Sequence, residues 1–332
     1  MSNSLALFAK ATRCGRFAML AGSIAWASTA CQMPRADTPA RATPVEGLHL
    51  DRTASGQAGV TRVRAVAKAG PAFDLYFDAA SERHALTSAP RLASMYADIA
   101  VAAAAPVANI RWHPVLFARD PEGRLAAALG SKEIVWTVPM QADGRPATSP
   151  IGPLDGHFAL DVLIPHEQVH ALQHSMYGSH RELPRWFVEG QAEWLGMRIS
   201  ERYAPAAARR ARANRADNLA QADGSIDLRR WRMRADPAAN VGRGTQAPIL
   251  SVSESEQEAE AQGLAEAASY AAADALFQRV SREAGDDAMR RWFAAVAATR
   301  GDLDSAAMAA LVKRETGVDI DADLANRSKT RL

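Results

Sequence analysis

Hydrophobic spacing divides the chain into segments of different character. Residues 17–30 (FAMLAGSIAWASTA) form an apolar block without charge. Residues 72–78 (AFDLYFD) alternate apolar and polar, the period of a strand. Leu92, Met95, Tyr96, Ile99 and Ala103 recur at helical spacing and predict a helix over 89–105. Residues 109–118 (NIRWHPVLFA) and 133–139 (EIVWTVP) are β-branched and aromatic and read as strands, with Pro114 marking an edge or a bulge. Between them a short helix over 121–129 is opened by Pro121 and closed by Gly130. The resulting β-α-β-α-β order predicts a small mixed α/β layer. A Pro- and Gly-rich loop over 140–156 and an apolar run from Phe158 to Ile164 follow.

The rest of the pattern is helical. The stretch 204–260 is polar, with a basic cluster at Arg209, Arg210, Arg212 and Arg215 and an acidic run at Glu254, Glu256, Glu258 and Glu260. It reads as solvated helix faces and loop. Beyond it, Tyr270, Leu276, Phe277 and Val280 suit one amphipathic face. Met289, Trp292, Phe293 and Val296 suit another after a break at Gly285, and 304–316 form a third helix stopped by Gly317. The fold class expected is α+β: a small mixed sheet with N-terminal helices, then a mainly helical C-terminal part.

Composition narrows this only at the N-terminus. Among 332 residues, 48% are hydrophobic and 23% charged, which excludes a disordered or collagen-like chain. No apolar run reaches the length of an ordinary membrane-spanning helix. The net charge of +2 arises in the first thirty residues, which carry Lys10, Arg13 and Arg16 and no acid; the remainder holds 36 Lys and Arg against 37 Asp and Glu. With no aromatic-interleaved basic motif, nucleic-acid binding is not expected. The basic start, the apolar block and the small residues after it read as a signal peptide over 1–30. Ser28-Thr29-Ala30 before Cys31 resembles a bacterial lipobox, departing from it at Ser28, so acylation of Cys31 and cleavage near Ala27 or Ala30 are both open. Either route gives an exported protein, in the periplasm or anchored to the membrane as a lipoprotein. Residues 31–45 read as a flexible tether. Cys14 and Cys31 are the only cysteines, so the exported chain would have no internal disulfide.

The chemistry concentrates at residues 166–170, HEQVH. On a helix, His166 and His170 lie about 6 Å and 40° apart and project from one face, where both can reach a Zn²⁺ ion. Glu167 sits beside the ion, placed to accept a proton from metal-bound water. Eighteen residues separate His170 from Glu189 in PRWFVEGQAEW. Pro184 starts a second helix there, and a loop of about 10–13 residues lets it fold back antiparallel. Glu189 then becomes the third ligand, leaving one position open. Glu193, one turn on, can accept the other ring N–H of a ligand histidine, or serve as a surface ion pair. His174 is about 12 Å from His166 along the axis, too far to share the ion. His157 and His180 are left as undecided neighbours.

HEQVH, with Glu189 in a W-x-x-E-G-x-A-E setting, resembles the gluzincin zinc metallopeptidases, the M1-like group of the peptidase MA clan. The metzincin pattern would place Gly and His where Gln173 and Met176 stand. No Gly-x-Met-Glu-Asn exopeptidase motif is present. The close resemblance covers about residues 160–200. It implies a zincin-like fold, a single Zn²⁺ on His166, His170 and Glu189, Glu167 as general base, and hydrolysis of a protein or peptide substrate. It also implies a downstream helix beginning with Tyr, which makes Tyr270 the candidate oxyanion donor, with Tyr203 as its rival. The implied organisation is a catalytic α/β part over 46–160, a zinc-binding helix pair over 161–203, a polar loop or insertion over 204–262 and a helical part over 263–332. A non-enzymatic envelope lipoprotein that keeps the scaffold, and a zinc amidase acting on a cell-wall link, are the competing readings.

Overall fold

A computed structural model describes residues 46–120, 123–130, 134–149, 154–178, 183–221, 226–231, 252–299 and 302–324, with side chains of the long helix at 252–284 from residue 263 onward. The segments expected as signal peptide and tether, with Cys31, as well as Pro121 and His180, lie outside the described residues, as do the side chains of the acidic run.

The architecture is α+β. A five-stranded mixed sheet is followed by a mostly helical remainder. The strands β1 (His49–Ala54), β2 (Val60–Val66), β3 (Ala72–Asp78), β4 (Val115–Ala118) and β5 (Trp136–Pro139) lie side by side in chain order. The first three are antiparallel; β4 is parallel to both β3 and β5, with Leu75 opposite Val115 and Val115 opposite Trp136. Helix α1 (Glu82–Ala102) crosses from β3 to β4 and buries Leu92, Met95, Tyr96 and Ile99 against Val63, Phe73, Leu75 and Phe117 on one face of the sheet. Helix α2 (Arg124–Leu129) leads to β5 and sets Leu125, Ala126 and Leu129 against Tyr76 and Leu116, which belong to a separate cluster.

The strand over 72–78 and the β-α-β-α-β order match the sequence reading. Other expectations are corrected. The sheet opens with the hairpin β1–β2, over a stretch to which the pattern assigned no element. Strand β4 starts after Pro114 rather than running through it, because a residue without an N–H cannot complete the ladder there. The Pro114 carbonyl instead accepts from Trp136 N–H at 3.0 Å. Helix α1 begins seven residues earlier than expected and carries Pro90 on its exposed side.

The apolar run ahead of the histidines is a wide π-type turn, Ala159–Leu163, passing directly into α3 (Ile164–Tyr177). Helix α4 (Arg185–Tyr203) follows Pro184. Seven residues separate the two helices, fewer than the sequence suggests because α3 continues to Tyr177. Gly196 lies against the backbone of His166, and Gln173 bonds the carbonyl of Val188, so the two helices run in opposite directions. Helix α5 (Pro205–Gln221) and the long α6 (Val252–Ala284) pack beside α4. Gly190 leaves room for the Phe277 ring, which a Cβ would meet at 2.8 Å. Trp186, Phe187, Phe277 and Trp292 then stack edge and tilt into an aromatic core. Helix α7 (Asp286–Ala298) follows Gly285, and α8 (Ser305–Thr316) is capped by Asp304 and stopped by Gly317 in the left-handed conformation, before a last turn α9 (Asp321–Leu324). No helix among the described residues is long and apolar enough to cross a membrane.

Candidate metal centre

His166 and His170 project from one face of α3, and their Nε2 atoms are 3.1 Å apart. Glu189 Oε2, from the first turns of α4, lies 3.7 Å from His166 Nε2 and 3.4 Å from His170 Nε2. Donors held about 2.0–2.1 Å from a common tetrahedral centre are separated by about 3.3–3.4 Å. The three atoms therefore outline one face of such a polyhedron. The group is buried or half-buried and could hold a metal ion.

The outward nitrogen of each imidazole faces a polar side chain. His170 Nδ1 is 2.8 Å from Gln173 Oε1. The Gln173 amide is oriented by donating to the Val188 carbonyl at 2.7 Å and to Gln191 Oε1 at 3.0 Å, so its oxygen faces the imidazole. The His170 proton is thus placed on Nδ1. His166 Nδ1 faces Glu193 Oε1 at 3.3 Å. With both protons on Nδ1, the two Nε2 lone pairs point at one another across 3.1 Å. That arrangement is repulsive unless a positive charge sits between them: a proton shared by the two nitrogens in the metal-free fold, or a divalent cation in its place.

The charge balance makes the same demand. Burial alone would raise the Glu189 pKa, yet the imidazoles of His166 and His170 hold it well below the carboxylate range. Burial would lower His166, but Glu189 and Glu193 push it up to about 10. His170 is raised by Glu189 against the same burial. Two buried carboxylates thus draw protons onto the imidazoles, a role in which a metal ion can replace them.

Glu193 is buried between His166 and an arginine. Burial would push its carboxyl up, but Arg215 and His166 bring it down to about 2. Arg215 comes from α5 and forms an ion pair with Glu193 Oε2. The basic cluster therefore divides: Arg209 and Arg210 are solvated as expected, whereas Arg212 and Arg215 turn inward, Arg212 to Asp274 Oδ2 at 3.0 Å and to Glu201. Glu167 is half-buried beside the ligands, and burial raises its pKa.

Tyr270 on α6 faces the same site. Its ring centroid is 6.3 Å from that of His166. Burial, then the charge of Glu189, pushes its phenol well above the ordinary range. The rival Tyr203 is committed elsewhere, donating to Asp98 Oδ2 at 2.7 Å. His174 and His157 are exposed. The structure thus brings together His166, Glu167, His170, Glu189, Glu193 and Tyr270.

The chain matches no protein-family model, and no curated protein is significantly similar to it. The site must therefore be read from its own geometry.

Sequence reasoning missed Gln173, Arg215, Arg185 and Trp231. Gln173 carried a signal, a polar side chain three residues after a ligand histidine on the same helical face. Arg215 carried none, since residues 193 and 215 meet only through the packing of α5. Arg185 stands in the first turn of α4, its Nε 3.7 Å from Glu189 Oε1. Its guanidinium lies 4.6 Å from the centre of the Trp231 ring.

Proposed function

We propose that the protein is a zinc-dependent metallopeptidase with a zincin-like fold of the gluzincin kind, exported to the cell envelope and acting on a protein or peptide substrate. The observation that carries the reading is the convergence of His166 Nε2, His170 Nε2 and Glu189 Oε2 at tetrahedral spacing, with Glu167 beside them. Two neutral imidazoles and a carboxylate are a donor set suited to zinc, and they leave a coordination position for water or substrate. When bound, the ion would polarise a scissile carbonyl and lower the pKa of water to about 7.

The chain's own groups supply the rest. Glu167 takes a proton from the attacking water and passes it to the leaving amine; its raised pKa suits it to both tasks. Tyr270 donates to the oxygen that gains charge. Gln173 holds His170 with Nε2 inward, and the Glu193 carboxylate faces His166 Nδ1 at 3.3 Å. Strand β5, last in the sheet and packed near the turn that leads into α3, offers an edge on which an extended peptide could lie. A scaffold without catalysis has no use for Glu167, which favours the enzymatic reading. The N-terminal pattern favours export, with Cys31 as the acylation point if the lipobox is used.

The purified chain is expected to hold about one zinc ion and to cleave a denatured protein in a chelator-sensitive way. Glu167→Gln should keep the metal and lose roughly 10²–10⁴-fold in turnover. Metal retained together with undiminished turnover in that variant would remove the general-base assignment.

A further inference from the structure

The phenol oxygen of Tyr270 accepts a hydrogen bond from Arg185 Nη2 at 3.2 Å. A guanidinium has five N–H donors and no acceptor, so the phenol cannot give its proton back to this partner. Among the described residues Tyr270 has no second hydrogen-bond partner. Its single O–H is left for whatever occupies the space beside His166.

Arg185 is itself locked in place. Its guanidinium pairs with the carboxylate of Glu266, one turn before Tyr270 on α6. The indole of Trp231 covers it, and Trp231 Nε1 donates to the second oxygen of Glu266 at 2.9 Å. The same indole meets the Tyr270 ring edge-on with centroids 5.0 Å apart. The four side chains form one closed unit built from α4, α6 and the segment ending at Trp231.

We propose that Arg185 is a positioning residue for Tyr270. By donating to the phenol oxygen it dictates which way the phenol proton can point, and a cation at that oxygen strengthens the O–H as a donor. The assignment rests on the metallopeptidase reading, since it needs an oxyanion for Tyr270 to meet. It differs from a structural role for Arg185 in its consequences. A structural residue acts through folding or metal retention, whereas a positioning residue acts only while the phenol is present.

The test is a double-mutant cycle with Arg185→Met, Tyr270→Phe and the combined variant, in the full chain with metal content measured. Arg185→Lys is the fallback if the Met variant does not fold or loses metal; it keeps the charge but not the planar fork that serves Glu266 and Tyr270 together. Tyr270→Phe should lower kcat about 10²–10³-fold. Arg185→Met should lower it roughly 10–100-fold with KM unchanged. The combined variant should be no slower than Tyr270→Phe alone. Calorimetric binding of a peptide phosphonate, a tetrahedral anion, should show the same non-additivity without turnover. Additive losses, or a change in KM alone, or loss of metal from both Arg185 variants would overturn the assignment. An active wild-type enzyme with additive variants would defeat only this inference. A wild-type chain that binds no metal and cleaves nothing would defeat the reading beneath it.

Discussion

His166 shows how a buried carboxylate pair sets the protonation of a ligand. Its ordinary value is 6.5, and Glu189 with Glu193 pushes it to about 10 in the metal-free fold. A histidine ligand must be neutral, so at pH 7 an incoming ion has to displace that proton. Metal uptake should therefore release about one proton or more per ion, and affinity should rise with pH until His166 is neutral near 10. Release into a weakly buffered indicator solution measures the first, and competition with a chelator at several pH values the second. Loading without proton release, at an affinity independent of pH, would contradict the electrostatics described. The fold itself follows the opposite signs. A raised histidine stabilises the metal-free protein below pH 6.5 and stops doing so as pH climbs through about 10. The depressed Glu193 stabilises it above its ordinary 4.5 and stops as pH falls through about 2. Metal-free stability from these two groups is complete between about pH 4.5 and 6.5. The convergence of His166, His170 and Glu189 was legible in sequence because one helix spacing and one carboxylate interval specify it. Gln173 had an i, i+3 relation to His170 that could have been read; Arg215 and Arg185 had none, since Glu193, Glu266 and Tyr270 reach them only through packing between helices.

Between elements, the decisive contact is α3 against α4. A Cβ on Gly196 would lie 2.8 Å from both the Cα and the N of His166. Those are backbone atoms and cannot rotate aside, so the glycine lets α4 approach the helix that carries two ligands. Gly196→Ala should force the pair apart, at a cost of about 1–3 kcal/mol from overpacking. Metal affinity should fall with it, because Glu189 reaches the imidazoles across that same interface. Urea unfolding and a metal titration on one preparation check both; an unchanged midpoint with unchanged affinity would mean the helices yield without strain. Most helices were readable from their 3.6-residue periodicity and their Pro and Gly boundaries; α5 and the first turns of α6 were not, and stand where a polar loop or insertion over 204–262 was expected. The hairpin β1–β2 was not readable either. Every residue of β1 is exposed, so no alternation marks it, and its strand state depends on pairing with β2. In β2, Arg62, Val63, Arg64 and Ala65 do alternate, with Val63 and Ala65 buried, but over four residues only.

Across the molecule, the sheet and the helices share one interior. A single cluster of buried residues runs from Val63 and Leu75 in the sheet through Leu92, Val169 and Trp186 to Phe277, Trp292, Leu311 and Leu324 near the C-terminal end of the described chain. The candidate metal site lies inside this continuum: the side chains that could hold an ion come from α3 and α4, Arg215 from α5 and Tyr270 from α6. An ion bound there clips elements that also pack on the sheet-bearing half, so its binding energy should stabilise the whole and not one helix pair. Zinc at about a thousand times its dissociation constant should add about 4 kcal/mol. For a domain of this size each kcal/mol moves the thermal midpoint by roughly 2–4 °C, giving a rise of roughly 8–16 °C in a single transition. Circular dichroism follows the helices, and near-ultraviolet signals follow Trp112 and Trp136 beside the sheet as well as the aromatic helical core. The two should shift together when zinc is added and fall back together with chelator. A midpoint that moves for the helices while a second, sheet-associated transition stays fixed would show that the shared interior does not transmit the metal's contribution, and that the two layers unfold as separate units.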